Sequence, residues 1–135
     1  MPLVKTLKTI ATRKIVSIEA GQTIANAAQL MAKQGIGSLM VTSDGKPVGI
    51  LTERDILTRV VAEGVEPAKT YVRAVMSSPL ITIQENASLA DATILMHLKK
   101  IRHLLLVDDG KIVGILTDKD IELQVFEYFT ALGQL

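Results

Sequence analysis

At 135 residues the chain can form one ordinary domain or two small units sharing a core, and its 48% apolar content supports a sizeable buried interior. A net charge of +1 with 21% charged residues gives no electrostatic reason to expect a nucleic-acid or membrane surface. No cysteine is present, which excludes disulfides, thiolate metal sites and cysteine nucleophiles, and the two histidines, His97 and His103, are poor material for a metal centre.

Taken in chain order, Met1-Pro2-Leu3-Val4-Lys5 lacks the apolar block of a signal peptide. No later apolar run approaches the ~20 residues of a membrane span, so the expected compartment is the cytoplasm. A short segment, residues 7–14, precedes Ile15-Val16-Ser17-Ile18, a β-branched run that reads as a strand. Ile24, Ala27, Ala28 and Met31 follow at helical spacing, and Gly35 suits the end of that helix. Leu39-Met40-Val41 and Val48-Gly49-Ile50-Leu51 flank Ser43-Asp44-Gly45-Lys46, and Asp-Gly between apolar runs predicts a hairpin. A second helix is predicted from Glu53 to about Ala62, and Gly64 and Pro67 mark residues 63–71 as a linker.

The same order then recurs. A shift of 65 positions (80 − 15) lays residues 15–60 on residues 80–125 without a gap, and the run Val48-Gly49-Ile50-Leu51-Thr52 falls on the identical Val113-Gly114-Ile115-Leu116-Thr117. Residues 72–79 precede the second copy, Leu80-Ile81-Thr82-Ile83 is its first strand, and Leu89, Ala92, Thr93 and Met96 form its helix, with Ser88 and Asp91 as a capping pair. Asp109-Gly110 is its hairpin turn, and a last helix runs from Asp118 to about Leu132. The predicted fold is mixed α/β (α+β): two tandem βαββα units at 7–62 and 72–132, each too small to cover its own sheet and therefore packed on the other about a pseudo-twofold axis.

The chemistry-bearing element is Gly49-Ile50-Leu51-Thr52-Glu53-Arg54-Asp55, echoed by Gly114-Ile115-Leu116-Thr117-Asp118-Lys119-Asp120. It sets a Thr hydroxyl and an Asp carboxylate at the mouth of a helix, whose free N–H groups and partial positive charge suit a phosphate. A carboxylate accepts from both hydroxyls of a ribose, and Arg54 and Lys119 can reach a phosphate. Thr-x-x-Asp is equally the spacing of a capping box, and the two roles are compatible. Met31 and Met96 read as core packing, His97 as a surface or interface residue, and Lys99, Lys100 and Lys111 as solvated.

The motif, standing at the end of a βαββα unit and occurring twice, resembles the signature of cystathionine-β-synthase (CBS) domains, and the resemblance covers roughly residues 7–125. It implies a pair with two clefts, each combining the Thr/Asp element of one repeat with segments of the other. One cleft would use Thr52, Arg54 and Asp55 with Ser77, Leu80, Ile81, Ile101, Arg102 and His103. The other would use Thr117, Lys119 and Asp120 with Thr12, Lys14, Val16, Ile36, Gly37 and Ser38. Arg102-His103 matches members that meet phosphates there, so the Thr52/Asp55 cleft ranks first.

The implied activity is regulatory sensing of AMP, ADP or ATP, with S-adenosylmethionine or NAD as alternative adenosyl ligands. No cofactor is obligatory, and Mg²⁺ would accompany ATP. Ile121, Val125, Phe129 and Leu132 lie along one face of the last helix, with Phe126 and Tyr128 beside them. Such a face needs a cover, and CBS pairs resemble one another in dimerising through these helices into a disc, so the expectation is a homodimer that passes its signal to an effector protein. A scaffold that dimerises without nucleotide is the competing reading. An enzyme is disfavoured by the lack of a nucleophile–base set or a Walker-type phosphate loop.

Overall fold

The computed structural model describes residues 6–134; the N-terminal pentapeptide read above for a signal lies outside the described residues. The chain divides into two compact units. One is Ile15–Leu80, called here the first unit. The second unit joins the segment ending at Lys14 to the chain from Ile81 onward.

In the first unit, β1 (Ser17–Glu19), β2 (Ser38–Ser43) and β3 (Lys46–Thr52) form one sheet in that order, β1 parallel to β2 and β2 antiparallel to β3. The strand expected at residues 15–18 begins its ladder later, because residues 15 and 16 find no paired neighbour beyond the Met40 N–H donating to Val16 O. Helix α2 (Ile24–Gln34) crosses between β1 and β2, capped by the Thr23 hydroxyl and ended by Gly35 at φ 65°. That left-handed conformation costs glycine nothing. The β2–β3 turn puts both Asp44 and Gly45 at positive φ, 53° and 75°, as a two-residue type I′ hairpin requires. Helix α3 (Glu53–Ile56) runs into a π-helical turn, Leu57–Val61, in place of the plain α-helix expected there. The linker contains a 3₁₀ turn, Pro67–Lys69, before helix α4 (Val72–Val75).

The second unit repeats this plan. Helix α1 is Leu7–Ile10; β4 (Thr82–Gln84), β5 (His103–Asp108) and β6 (Lys111–Thr117) form the sheet, with α5 (Leu89–Lys99) as crossover. Asp109 and Gly110 repeat the positive-φ turn, at 50° and 74°. Both sheets carry an irregularity at the same repeat position, Val41/Thr42 and Leu106/Val107. The final helix, α6 (Asp118–Ala131), is α-helical throughout.

Each core is built from the inward residues of the sheet, the crossover helix and one short leading helix. In the first unit Ile18, Ile24, Ala27, Met31, Leu39, Val41, Leu51 and Val60 close on Val72 and Val75 of α4. In the second, Ala92, Met96, Leu104, Leu106 and Leu116 close on Leu7 and Ala11. The packing units therefore cut the chain differently from the sequence repeat. The segment that leads each copy in sequence completes the sheet of the other copy. Ser77 bridges to Ile50 in the first unit and Thr12 to Ile115 in the second.

Candidate functional site

The motif glycine is explained by that leading segment. A Cβ on Gly49 would lie 2.8 Å from the Ser77 carbonyl oxygen, and one on Gly114 would lie 3.0 Å from that of Thr12. Only a residue without a side chain lets the backbones close the two-hydrogen-bond bridge between Ile50 and Ser77, or between Ile115 and Thr12. The glycine thus brings Ser77 or Thr12 beside the Thr/Asp element that begins three residues later.

The capping reading of Thr-x-x-Asp holds in both units. The Asp55 N–H donates to Thr52 Oγ1 at 3.1 Å, and the Thr52 N–H to Asp55 Oδ2 at 3.0 Å. For Thr117 and Asp120 the distances are 3.2 and 2.9 Å. The Glu53 and Asp118 N–H groups donate to Gly37 O and Arg102 O. Of the donors at the mouth of each helix, the N–H of Arg54 or Lys119 is what these bonds leave over. Each first turn also holds two carboxylates, Glu53 with Asp55 and Asp118 with Asp120, which already complement the helix dipole. That arrangement suits a hydroxyl donor better than a phosphate.

Beyond the cap the units part. Asp55 is buried, 7% exposed, and its second oxygen accepts from the Ser77 hydroxyl at 3.0 Å. The Arg59 Nη1 lies 3.9 Å from that oxygen and also donates to the carbonyls of Val75 (2.8 Å) and Met76 (3.2 Å). Asp120 is only half-buried, and among the described residues its second oxygen accepts no hydrogen bond. Gln124 stands at the repeat position of Arg59 (59 + 65) and is itself buried, 7% exposed, with a side-chain oxygen that has no partner among the described residues.

The remaining expected residues fall where the sheets put them. Ser38 opens β2 opposite Thr52, and His103 opens β5 opposite Thr117, where it is half-buried and engaged in its own contact. Gly37 lies under the Glu53 carboxylate, 2.9 Å from where its Cβ would be. In the second unit the larger Arg102 faces the shorter Asp118 instead, its Nε 3.9 Å from Oδ2, so its charge is partly answered locally. Val16 and Ile36 pack against the first core, and Ile81 and Ile101 against the second. Leu80 is half-buried; Thr12, Lys14, Arg54 and Lys119 are exposed. The structure thus joins Thr52, Asp55 and Ser77 in one cluster and sets Thr12 beside the Thr117/Asp120 strand. Ile81, Ile101, Arg102 and His103 belong to the second unit, and Val16, Ile36, Gly37 and Ser38 to the first.

Sequence reading passed over Arg59 and Gln124. The signal was there: one turn after an identical Asp, the copies differ by a charge. Among the described residues no group of His, Asp and Glu side chains is placed to hold a metal, and no helix is long and apolar enough to cross a membrane. On α6, Ile121 packs on the core, while Leu123, Val125, Phe126 and Phe129 are exposed.

Comparison with known proteins agrees with this architecture. The family model "CBS domain" matches residues 7–62 and 72–124. An uncharacterized protein of Methanopyrus kandleri is 40% identical over 90% of this chain, which spans 63% of that protein's length. The CBS domain-containing protein YhcV of Bacillus subtilis is 37% identical, covering 85% of this chain and 81% of its own. Among solved structures, a protein with CBS domains from Burkholderia ambifaria superposes with a TM-score of 0.87 at 28% identity, covering 91% of this chain and 95% of that one. A hexameric CBS-CP12 protein of bloom-forming cyanobacteria gives 0.82 at 28% identity, covering 90% and 68%.

Proposed function

The chain belongs to the CBS-domain family, and on that premise we propose that it is a regulatory module sensing an adenine nucleotide, AMP, ADP or ATP, and signalling to a partner protein by conformational change. Paired CBS domains are regulatory, ligand-binding modules. The observation that carries the nucleotide reading is the Thr/Asp element, whose cap fixes a carboxylate beside a strand edge. A capped Asp whose orientation is set in advance loses little freedom on accepting ribose hydroxyls. Arg54, Lys119 and the partly answered Arg102 are the cations available to phosphates, and Mg²⁺ would accompany ATP as part of the ligand. The reading is one of binding: the motif holds no nucleophile with an adjacent base.

Output requires differential affinity of the ligand for two states of the protein. A homodimer formed through the terminal helix is the proposed route, with Val125, Phe126 and Phe129 at the interface and Ile121 buttressing them from the core side. That the cyanobacterial CBS-CP12 neighbour is hexameric supports self-association here. The scaffold reading, a dimer without nucleotide, is favoured by the same exposed side chains on α6.

Thermal unfolding against AMP, ADP, ATP, S-adenosylmethionine, NAD and guanosine compounds decides between them. A ligand at a hundredfold excess over its Kd stabilises by about 2.7 kcal/mol. The reading predicts a shift of that size with an adenine nucleotide and a smaller one with its guanosine counterpart. If no adenosyl compound moves the transition, the scaffold reading replaces it.

A further inference from the structure

We infer that the two Thr-x-x-Asp elements are not two copies of one site: Asp120, with Gln124 one turn beyond it, takes the ligand's hydroxyls, while Arg59 and Ser77 hold Asp55 closed as an internal ion pair. The inference rests on the nucleotide reading above and specifies which half of the molecule performs it.

In the first unit each carboxylate oxygen of Asp55 is already a hydrogen-bond acceptor, from the Thr52 N–H and from the Ser77 hydroxyl. The guanidinium of Arg59 stands 3.9 Å from the second of these oxygens. It is not free to swing aside, because the same Nη1 donates to the carbonyls of Val75, the last residue of α4, and Met76, its C-cap. Arg59 also sits inside the π-helical turn Leu57–Val61, a local departure that α6 lacks. Such single-turn insertions reposition one side chain relative to its helix. A hydroxyl arriving at Asp55 has to displace Ser77 from a buried acceptor and leaves the Ser77 hydroxyl without its partner.

At Asp120 those obstacles are absent. Serine becomes Thr12, whose hydroxyl makes no bond to the carboxylate, and arginine becomes neutral Gln124. The second oxygen of Asp120 is available among the described residues. A buried amide oxygen without a partner is destabilising until a donor reaches it, and Gln124, at i+4 from Asp120, holds one that has no partner among the described residues. A donor-rich ligand such as a ribose satisfies both acceptors. Asp55 is then a structural anion and Asp120 a binding one, which reverses the ranking drawn from Arg102-His103.

Isothermal titration of the full chain with AMP and with ATP tests this, on wild type and on Asp120→Asn, Asp55→Asn, Gln124→Arg and Arg59→Gln. The expected result is one molecule per chain, with affinity reduced roughly tenfold or more in Asp120→Asn and in Gln124→Arg. Arg59→Gln should raise the stoichiometry toward two. Asp55→Asn should lower the melting temperature yet bind within about twofold of wild type; if it does not fold, Gln124→Met serves instead, with a melting temperature at or above that of wild type and weakened binding. Two equal wild-type sites, loss of binding in Asp55→Asn but not in Asp120→Asn, or an unchanged stoichiometry in Arg59→Gln overturns the inference while the nucleotide reading stands. Absence of heat with every chain and both probes overturns the nucleotide reading and this inference with it.

Discussion

The first unit secures its motif aspartate with a serine, an arginine and a cap, whereas among the described residues the second secures Asp120 with the cap alone. The backbones around them are near duplicates, down to the hairpin turn and the strand irregularity. Divergence is therefore concentrated one helical turn beyond the motif, in the side chains and in the π-helical turn that α6 lacks. A duplicated fold can keep both copies of a signature for stability while leaving only one copy chemically open. Capping accounts for the Thr and Asp of both copies, while only Asp120 keeps an acceptor oxygen unmet among the described residues.

Gly49→Ala should give the largest effect and should exceed Gly114→Ala. The first sets a methyl 2.8 Å from both the Ser77 carbonyl and the Met76 sulfur, the second 3.0 Å from the Thr12 carbonyl alone. Overpacking of this kind costs about 1–3 kcal/mol, so urea unfolding should place Gly49→Ala near the top of that range. Asp55→Ala comes next, at about 2–3 kcal/mol, because it removes a cap and strands the Ser77 hydroxyl. Asp120→Ala should cost about 1 kcal/mol, the value of a cap. Equal losses for the two aspartates would erase the contrast between the units. Gln124→Met should be neutral or stabilising by up to about 1 kcal/mol, since it removes an unpartnered buried oxygen; a clear loss would show that the amide is bonded in the free protein. The smallest effect on stability is expected from Phe126→Glu on the exposed face of α6, with a shift of the oligomer toward monomer in light scattering as its readout.

Much of the fold was legible because its signals are local. Asp44-Gly45 and Asp109-Gly110 demand positive φ, Ser88 with Asp91 forms the expected capping box, and the apolar spacing of Ile24, Ala27 and Met31 fixes one helix face. The exchange of leading segments was legible only through the family resemblance, which set Ser77 with Thr52 and Asp55 and Thr12 with Thr117 and Asp120, and not through periodicity. Helices α1 and α4 have four residues each, too few for a periodic signal, and their placement depends on long-range burial of Leu7, Val72 and Val75. The π-helical turn has no sequence pattern of its own. At the site, Thr52, Asp55 and Ser77 were grouped together in advance, but the arginine that closes them was missed, because a helical Arg four residues past an Asp reads as an ordinary surface pair. Only the bonds of Arg59 to Val75 and Met76 reveal what it does.

The most direct measurement is a crystal structure of the full chain grown with AMP. The account predicts adenosine density in contact with Asp120 and Gln124, and an Asp55 carboxylate still bonded to Ser77. Ribose density on Asp55, with Ser77 and Arg59 displaced and Asp120 empty, would contradict it.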